Sequence, residues 1–273
     1  MANPEPADAA CGRSTDSLAA EVGNLLAASV MNLACPSATT AAGLLGGQER
    51  GGLLLPPQVG VLKQVQGLRF VAVAIGPNDL GWSDLVTYCY AVENCADNLS
   101  QGEFDYRLAA FDRDYGTLLA ELAALPGQPQ VIVVASYDVL PATADPACAD
   151  MRGPAGAAGL STAEIELLDA RNDQLNAILA AGAEKYDFDV ARPHLAPLCS
   201  SDSGSSDSGS SDSGGSGTGG TTAAPDGAPT TATSAGRDLQ GLADPFPFHP
   251  TGTGSLRTAA AVARLITPDI AGN

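Results

Sequence analysis

Hydrophobic residues recur along the chain in two patterns. Nearly continuous apolar runs are typical of strands covered on both faces, whereas apolar residues three or four positions apart are typical of amphipathic helices. The first pattern predicts strands at 69–75 and 131–135, with a short strand at 29–34 and a weaker last strand at 188–190. The second predicts helices at 16–28, 39–45, 82–90, 106–125 and 162–181, and a closing helix from Thr251 or Thr253 to about 265.

The order of these elements predicts the fold. Strands that alternate with helices of this length form βαβ units, so we predict an α/β fold, a flavodoxin-like three-layer sandwich with a mainly parallel sheet. Ser161 is expected to cap the helix at 162–181 and Gly182 to end it. Ligand-binding groups in such sheets lie beyond the carboxyl ends of the strands. The turn Gly76-Pro77-Asn78-Asp79 directly follows a predicted strand and is therefore a candidate site.

A low-complexity segment divides the chain. From Ser200 the sequence Ser-Ser-Asp-Ser-Gly occurs three times, and sequence rich in Gly, Thr, Ala and Pro continues to 236. Such sequence cannot offset its ordering entropy by burial, which predicts a flexible, solvated linker. We therefore divide the chain into a first part of one domain at 1–199, a linker at 200–236 and the end of the same domain at 237–273.

The amino-acid composition and the net charge exclude some classes of function. The 273 residues are 45% apolar with a net charge of −18, so the chain can bury one sizeable core and its surface repels phosphate. Binding to nucleic acid and to anionic membranes is therefore not expected. No apolar run approaches transmembrane length.

Six cysteines fall into neighbouring couples, with no Cys-x-x-Cys spacing among them. The couples are Cys11 with Cys35, Cys89 with Cys95 and Cys148 with Cys199. An even number of this kind favours a disulfide framework and an oxidising compartment, although fifteen pairings are formally open. We therefore expect a secreted, extracellular protein whose leader is absent from this sequence.

Two side chains carry the candidate chemistry. His249 precedes the last predicted helix, and an imidazole held through one nitrogen can take a proton from a hydroxyl with the other. The Asn78 side-chain amide can donate to the oxyanion of a tetrahedral intermediate. Taken singly, His249 could be a loop histidine and Asn78 an ordinary turn residue. Asp79 is expected to tie the turn, and His194 to lie on the surface.

The blocks Asn32 to Thr40, Gly76 to Asp79 and Phe248 to Thr251 occur in an order that resembles the SGNH, or GDSL-type, hydrolases. The resemblance is strongest to their secreted actinobacterial esterase and lipase branch with three disulfides, and runs from about Cys11 to Leu265 with the linker excluded. It implies serine acyl transfer with His249 as the base, Asn78 as an oxyanion donor and the Ser37 backbone N–H as a second donor. It implies a small-molecule or lipid ester substrate and no metal or cofactor.

The chain departs from this family at three positions. Ser37 replaces the usual glycine. Phe246 stands where many members carry an aspartate that orients the histidine, so Asp244 or the Phe246 carbonyl is the expected substitute. The family nucleophile lies in a Gly-Asp-Ser motif at the end of a first strand, and no such motif occurs here.

We therefore expect an N-terminally truncated ester hydrolase that lacks its first strand and its nucleophile. The alternatives are a non-catalytic relative that binds acyl or glycosyl ligands, and a structural or surface-tethered module. Trp82 and Leu85 are candidates for an acyl pocket, although core packing is the favoured role for both. None of these motifs encodes the ester, its chain length or the oligomeric state.

Overall fold

A computed structural model describes residues 6–153, 156–199, 237–244 and 246–266. Within these ranges the elements are α1 (Pro6–Cys11), α2 (Leu18–Leu26), β1 (Gln48–Arg50), β2 (Leu53–Leu55), α3 (Gln58–Leu62), β3 (Phe70–Ala74), α4 (Trp82–Ala91), α5 (Asn98–Ala123), β4 (Gln130–Val134), α6 (Ala149–Arg152), α7 (Thr162–Lys185), β5 (Asp189–Ala191) and α8 (Gly252–Ala263).

The central sheet is parallel, in the order β3-β4-β5. Phe70 lies opposite Gln130 at one end of the first pair and Ala74 opposite Val134 at the other, while Val133 pairs with Val190. The three predicted strands that enter this sheet are confirmed. A separate antiparallel hairpin of β1 and β2 was not predicted.

Helices cover both faces of the sheet and make three layers. On one face α5 and α7 pack over Val71, Val73, Val131 and Val133. On the other face α2 and α8 contact each other and bury a second cluster, which includes Ile132, Val134, Ala191, Val22 and Val262. This is the three-layer α/β arrangement that the alternation of patterns predicts.

The outer edge of β3 is open within the described ranges. There β3 pairs with β4 alone. On the face that α2 and α8 cover, Ala72 and Ala74 are exposed, although their register partners Ile132 and Val134 are buried. The sheet therefore has room for another strand beside β3.

Two short elements were predicted wrongly. Residues 29–34 form no strand, because the Leu33 and Ala34 carbonyls accept from the Arg13 guanidinium instead of from a neighbouring strand. Residues 39–45 form consecutive turns instead of a helix. There the Thr40 N–H is bonded to Asp79, and Gly43 has a φ of +116°, which a right-handed helix does not allow.

Gly182 does not end α7, which continues to Lys185. Instead, the absence of a side chain at Gly182 allows close packing of two helices. A Cβ at this position would lie 2.5 Å from the Tyr115 ring of α5, so glycine lets the two long helices approach closely.

The predicted linker at 200–236 lies outside the described residues. The residues on either side of it both contact the α6 region: Cys199 is bonded to Cys148, and Arg237 forms an ion pair with Asp150 at 2.8 Å. The other predicted pairs, Cys11–Cys35 and Cys89–Cys95, are also disulfide-bonded, so sequential pairing is confirmed. Among the described helices, none is both long and apolar enough to cross a bilayer.

Candidate active site

Asn78 lies in a helical turn at the carboxyl end of β3. Gly76 makes this turn possible because its φ of +121° lies in the region that favours glycine, and a Cβ there would lie 2.7 Å from Leu175. The Leu80 N–H donates to the Gly76 carbonyl at 3.1 Å and closes the turn. Asn78 is exposed, so its amide can reach a ligand.

The structure brings the two predicted oxyanion donors together. The Asn78 side-chain amide donates to the Ala38 carbonyl at 3.0 Å, one residue beyond Ser37. Ser37 is exposed, and its backbone N–H makes no hydrogen bond within the described residues. Because a carboxamide NH2 has two hydrogens, Asn78 keeps one donor for a ligand while the other holds the neighbouring loop.

Ser37 occupies a backbone conformation suited to glycine. Its φ is +61°, in the left-handed region, and the Ala38 N–H donates back to the Cys35 carbonyl across the turn. Proline at the second position of a turn and positive φ at the third are the features of a type II turn. The replacement of the family glycine by serine therefore leaves the turn and its N–H in place.

Asp79, which was expected to tie its own turn, joins that turn to a second loop. Its Oδ1 accepts from the Thr40 N–H at 2.8 Å, while its Oδ2 is buried and unpartnered within the described residues. Burial raises the pKa of this carboxyl, and the hydrogen bond from the Thr40 backbone opposes the rise. Asp79 thus links the Asn78 turn to the loop that carries Ser37.

His249 is exposed and oriented by a main-chain carbonyl. Its Nδ1 lies 3.0 Å from the Pro247 oxygen. Since a carbonyl can only accept, a hydrogen bond between these two atoms requires the hydrogen on Nδ1, and in a neutral ring this leaves the lone pair on Nε2.

The orienting group is therefore neither of the two expected from sequence. Asp244 accepts from the Gly241 N–H at 2.7 Å, and the Phe246 carbonyl accepts from the His249 backbone N–H at 3.1 Å. Both groups thus accept hydrogen bonds within the turn, and neither is hydrogen-bonded to the His249 ring within the described residues. No sequence signal distinguishes the Pro247 carbonyl from its neighbours.

His249 and the Asn78–Ser37 pair lie at the same edge of the sheet without a direct bond. The Phe248 carbonyl accepts from the hydroxyl of Tyr137, which follows β4, just as Asn78 follows the adjacent β3. Within the described residues, no hydrogen bond joins His249 to Asn78 or Ser37. His194 is exposed, as predicted.

Tyr137 was missed at the sequence level, although its place two residues after a buried run was a usable signal. Trp82 and Leu85 are partly buried and pack against two of the hydrophobic clusters. The cluster of Cys148, Asp150 and Cys199 has metal-ligand spacing, but both of its sulfurs are in a disulfide and cannot ligate a metal as thiolates.

A backbone donor, a side-chain amide and an imidazole in contact with a carbonyl thus lie near the carboxyl ends of the parallel strands. The sequence profile of the GDSL-like lipase/acylhydrolase family matches residues 3–256, and the chain belongs to that family of hydrolases of ester substrates.

Solved structures resemble this fold at low sequence identity. An extracellular lipase from Streptomyces rimosus is 18% identical with a TM-score of 0.63, over 96% of this chain and 92% of that one. A phospholipase A1 from Streptomyces albidoflavus is 16% identical over 70% and 72% of the two chains, with a TM-score of 0.45. A carbohydrate acetylesterase from Sinorhizobium meliloti is 11% identical over 92% and 84%, with a TM-score of 0.46. No curated protein sequence matches the chain significantly.

Proposed function

We propose that the protein is a carboxylic ester hydrolase in which His249 is the general base. The observation that carries the proposal is the contact between His249 Nδ1 and the Pro247 carbonyl. This contact presents Nε2 as a proton acceptor, and the same nitrogen can return the proton to a leaving alcohol.

Asn78 and Ser37 complete the proposed machinery as oxyanion donors. A serine attacks the ester carbonyl while His249 takes its proton, and the second Asn78 hydrogen and the Ser37 N–H hold the oxyanion. The alcohol leaves with the proton from His249. Water then enters, and His249 activates it to release the acid. A small-molecule or lipid ester is the substrate class that this chemistry serves.

The nucleophile, we propose, is a serine on a strand that pairs with the open edge of β3 and lies outside the 273 residues. The sequence contains no Gly-Asp-Ser. Exposure of Ala72 and Ala74 opposite buried partners supports an added strand at this position. The carboxyl end of a strand parallel to β3 would lie beside the Asn78 turn.

We further infer that the protein acts outside the cell. Three disulfides among the described residues support this location, because such bonds persist in oxidising compartments. The description of the Streptomyces rimosus lipase as extracellular agrees with it.

The test is covalent labelling with a fluorophosphonate, followed by peptide mass spectrometry. The 273-residue chain and a form extended by its upstream in-frame coding sequence are labelled side by side, each with a His249→Ala counterpart. His194→Ala is the matched control, because it changes the other histidine, which is also exposed.

We expect one serine of the added sequence to be labelled, and only when His249 is present. A His249-dependent label on a serine within the 273 residues would support the proposed hydrolase activity but overturn the proposed location of the nucleophile. If neither folded form is labelled, the proposed hydrolase activity is overturned and the alternative of a non-catalytic binding protein is favoured.

A further inference from the structure

Phe248, immediately before the proposed base, has an unusual backbone conformation. Its φ is +67°, in the left-handed region that bulky side chains rarely adopt. Such a conformation is strained and persists only where the surroundings hold it. The contacts that hold Phe248 therefore indicate what the conformation is for.

Both peptide groups that flank Phe248 are held by hydrogen bonds. Its N–H donates to the Gln240 carbonyl at 2.9 Å. Its carbonyl accepts from the Tyr137 hydroxyl at 3.3 Å. The Phe248 ring lies nearly parallel to that of Tyr90, with 6.5 Å between centroids and 4° between planes.

These contacts act on the carbonyl that holds His249. The Pro247 oxygen and the Phe248 N–H belong to one peptide group, and the Phe248 carbonyl belongs to the next, which leads into His249. Rotation about the Phe248 backbone therefore sets where the Pro247 oxygen lies relative to the His249 ring. Gln240 fixes the first peptide group and Tyr137 the second.

We propose that Tyr137 is a positioning residue that holds the Phe248 backbone so that the Pro247 carbonyl faces Nδ1 of His249. The inference deepens the proposed function, since it concerns the orientation of the same base. Tyr137 does not contact the reacting atoms in this scheme and acts only through Phe248.

The state of the Tyr137 phenol fits this role. Burial raises the pKa of Tyr137, so the hydroxyl stays protonated and remains a donor at neutral and mildly alkaline pH. Tyr137 also packs against the cluster that includes Val139, Leu140 and partly buried Phe248. The ring thus anchors the hydroxyl to the core beside the site.

The test measures the tautomer of His249 by nitrogen-15 NMR in the full chain. Two histidines give two imidazole spin systems, and His194→Gln assigns them. Spectra are recorded at about pH 8.5, where an ordinary imidazole is neutral. Tyr137→Phe removes only the hydroxyl.

Tyr115→Phe is the matched control. It also removes a buried hydroxyl that donates to a backbone carbonyl, that of Leu179 at 3.0 Å, but in the core between α5 and α7. A general loss of stability would appear in both variants, whereas a change at His249 should appear only in Tyr137→Phe.

In the unmodified chain we expect His249 to be almost wholly the tautomer with hydrogen on Nδ1. Tyr137→Phe should shift both ring nitrogens toward a mixture of tautomers, while Tyr115→Phe should leave them unchanged. In a form of the protein that turns over esters, kcat should fall about tenfold with little change in KM.

Identical His249 nitrogen shifts in Tyr137→Phe and the unmodified chain would overturn the inference. A shift that Tyr115→Phe reproduces would also overturn it, because the effect would then be one of global stability. The NMR readout needs no turnover. A chain without esterase activity would therefore contradict the proposed function, while the inference about Tyr137 could still be tested.

Discussion

Ser37 shows how one residue can keep its function while its conformation is unfavourable. Its role in the proposed mechanism needs only the backbone N–H, which serine and glycine share. Its φ of +61° suits glycine, because a Cβ in the left-handed region crowds the following carbonyl. A substitution at this position can therefore change the stability of the fold without changing the proposed chemistry.

Replacement of Ser37 by glycine should raise the free energy of unfolding by about 0.5–1 kcal/mol, the relief of strain less the extra entropy of an unfolded glycine. Urea denaturation followed by circular dichroism measures the change. Ala109→Gly, on the exposed surface of α5, is the control and should lower stability by about 1 kcal/mol. A loss of stability in Ser37→Gly would contradict the assigned strain.

Asp138, next to Tyr137, gives the fold a pH dependence. Burial, and then repulsion from Asp169, raises its pKa from 3.8 to about 6. An acid whose folded-state pKa is raised binds its proton more tightly in the folded chain. Stability contributed by the protonated form is therefore lost as pH rises from about 4 to about 6.

Asp138→Asn should remove this loss, because an amide oxygen can still accept from the Leu140 N–H. We expect the variant to be more stable by about 1 kcal/mol at pH 8, allowing for solvent screening, and equally stable near pH 4. Thermal unfolding across this range measures the difference. Asp145→Asn is the control, because exposed Asp145 makes the same bond to the N–H two residues on. An equal gain in stability at every pH would contradict the predicted titration of Asp138.

At the scale of elements, the start of α7 is tied to a distant loop. Ser161 and Glu164 form a capping box, in which each side chain accepts from the other residue's backbone N–H. Glu164 is 2% exposed and its Oε1 also accepts from the Cys95 N–H at 3.0 Å. One carboxylate thus closes the helix end and holds the Cys89–Cys95 loop.

Glu164→Ala should therefore cost more than the loss of an ordinary cap. Ser161→Ala should lower the free energy of unfolding by about 1 kcal/mol. Glu164→Ala should lower it by about 3 kcal/mol, because the buried Cys95 N–H also loses its partner. Equal losses in parallel urea titrations would mean that the Cys95 contact contributes nothing.

The elements also show what sequence could and could not predict. The runs at 69–75 and 131–135 are apolar enough to predict strands wherever they pair, although only the second is covered on both faces in the described residues. Residues 29–34 have strand character as well, but a strand forms only with a partner, and their carbonyls bind Arg13 instead. Asn78 and His249 became candidates through their places between elements, and their roles stay predictions. The Pro247 carbonyl did not become one, since its role depends on the backbone angle of Phe248.

At the scale of the whole molecule, the disulfides constrain very different lengths of chain. Cys148 and Cys199 are 51 positions apart, whereas Cys89 and Cys95 are 6 apart. In the chain-entropy description, these crosslinks remove about 4 and about 2 kcal/mol of unfolded-state freedom, respectively. The crosslink across the longer segment should therefore contribute more stability.

Replacing Cys148 and Cys199 together by alanine should lower the free energy of unfolding more than the same change at Cys89 and Cys95, by about 1–2 kcal/mol. Cys89 and Cys95 are fully buried, so replacing them also removes buried sulfur from the core. This additional loss makes the difference in stability between the two variants smaller. Guanidinium denaturation under non-reducing conditions compares the two variants. A larger loss at Cys89–Cys95 would show that local packing outweighs chain entropy here.

The edge of β3 that the described residues leave unpaired should also affect how copies of this chain behave toward one another in solution. An unpaired strand edge is a template for a second molecule, and the exposed alanines beside it offer no bulk to keep one away. Like charge is the opposing force, since every copy carries a net charge of −18. Salt weakens that repulsion beyond a few ångströms but leaves backbone hydrogen bonding intact. We therefore expect the chain to stay dispersed in dilute buffer and to form edge-to-edge aggregates more readily at high salt.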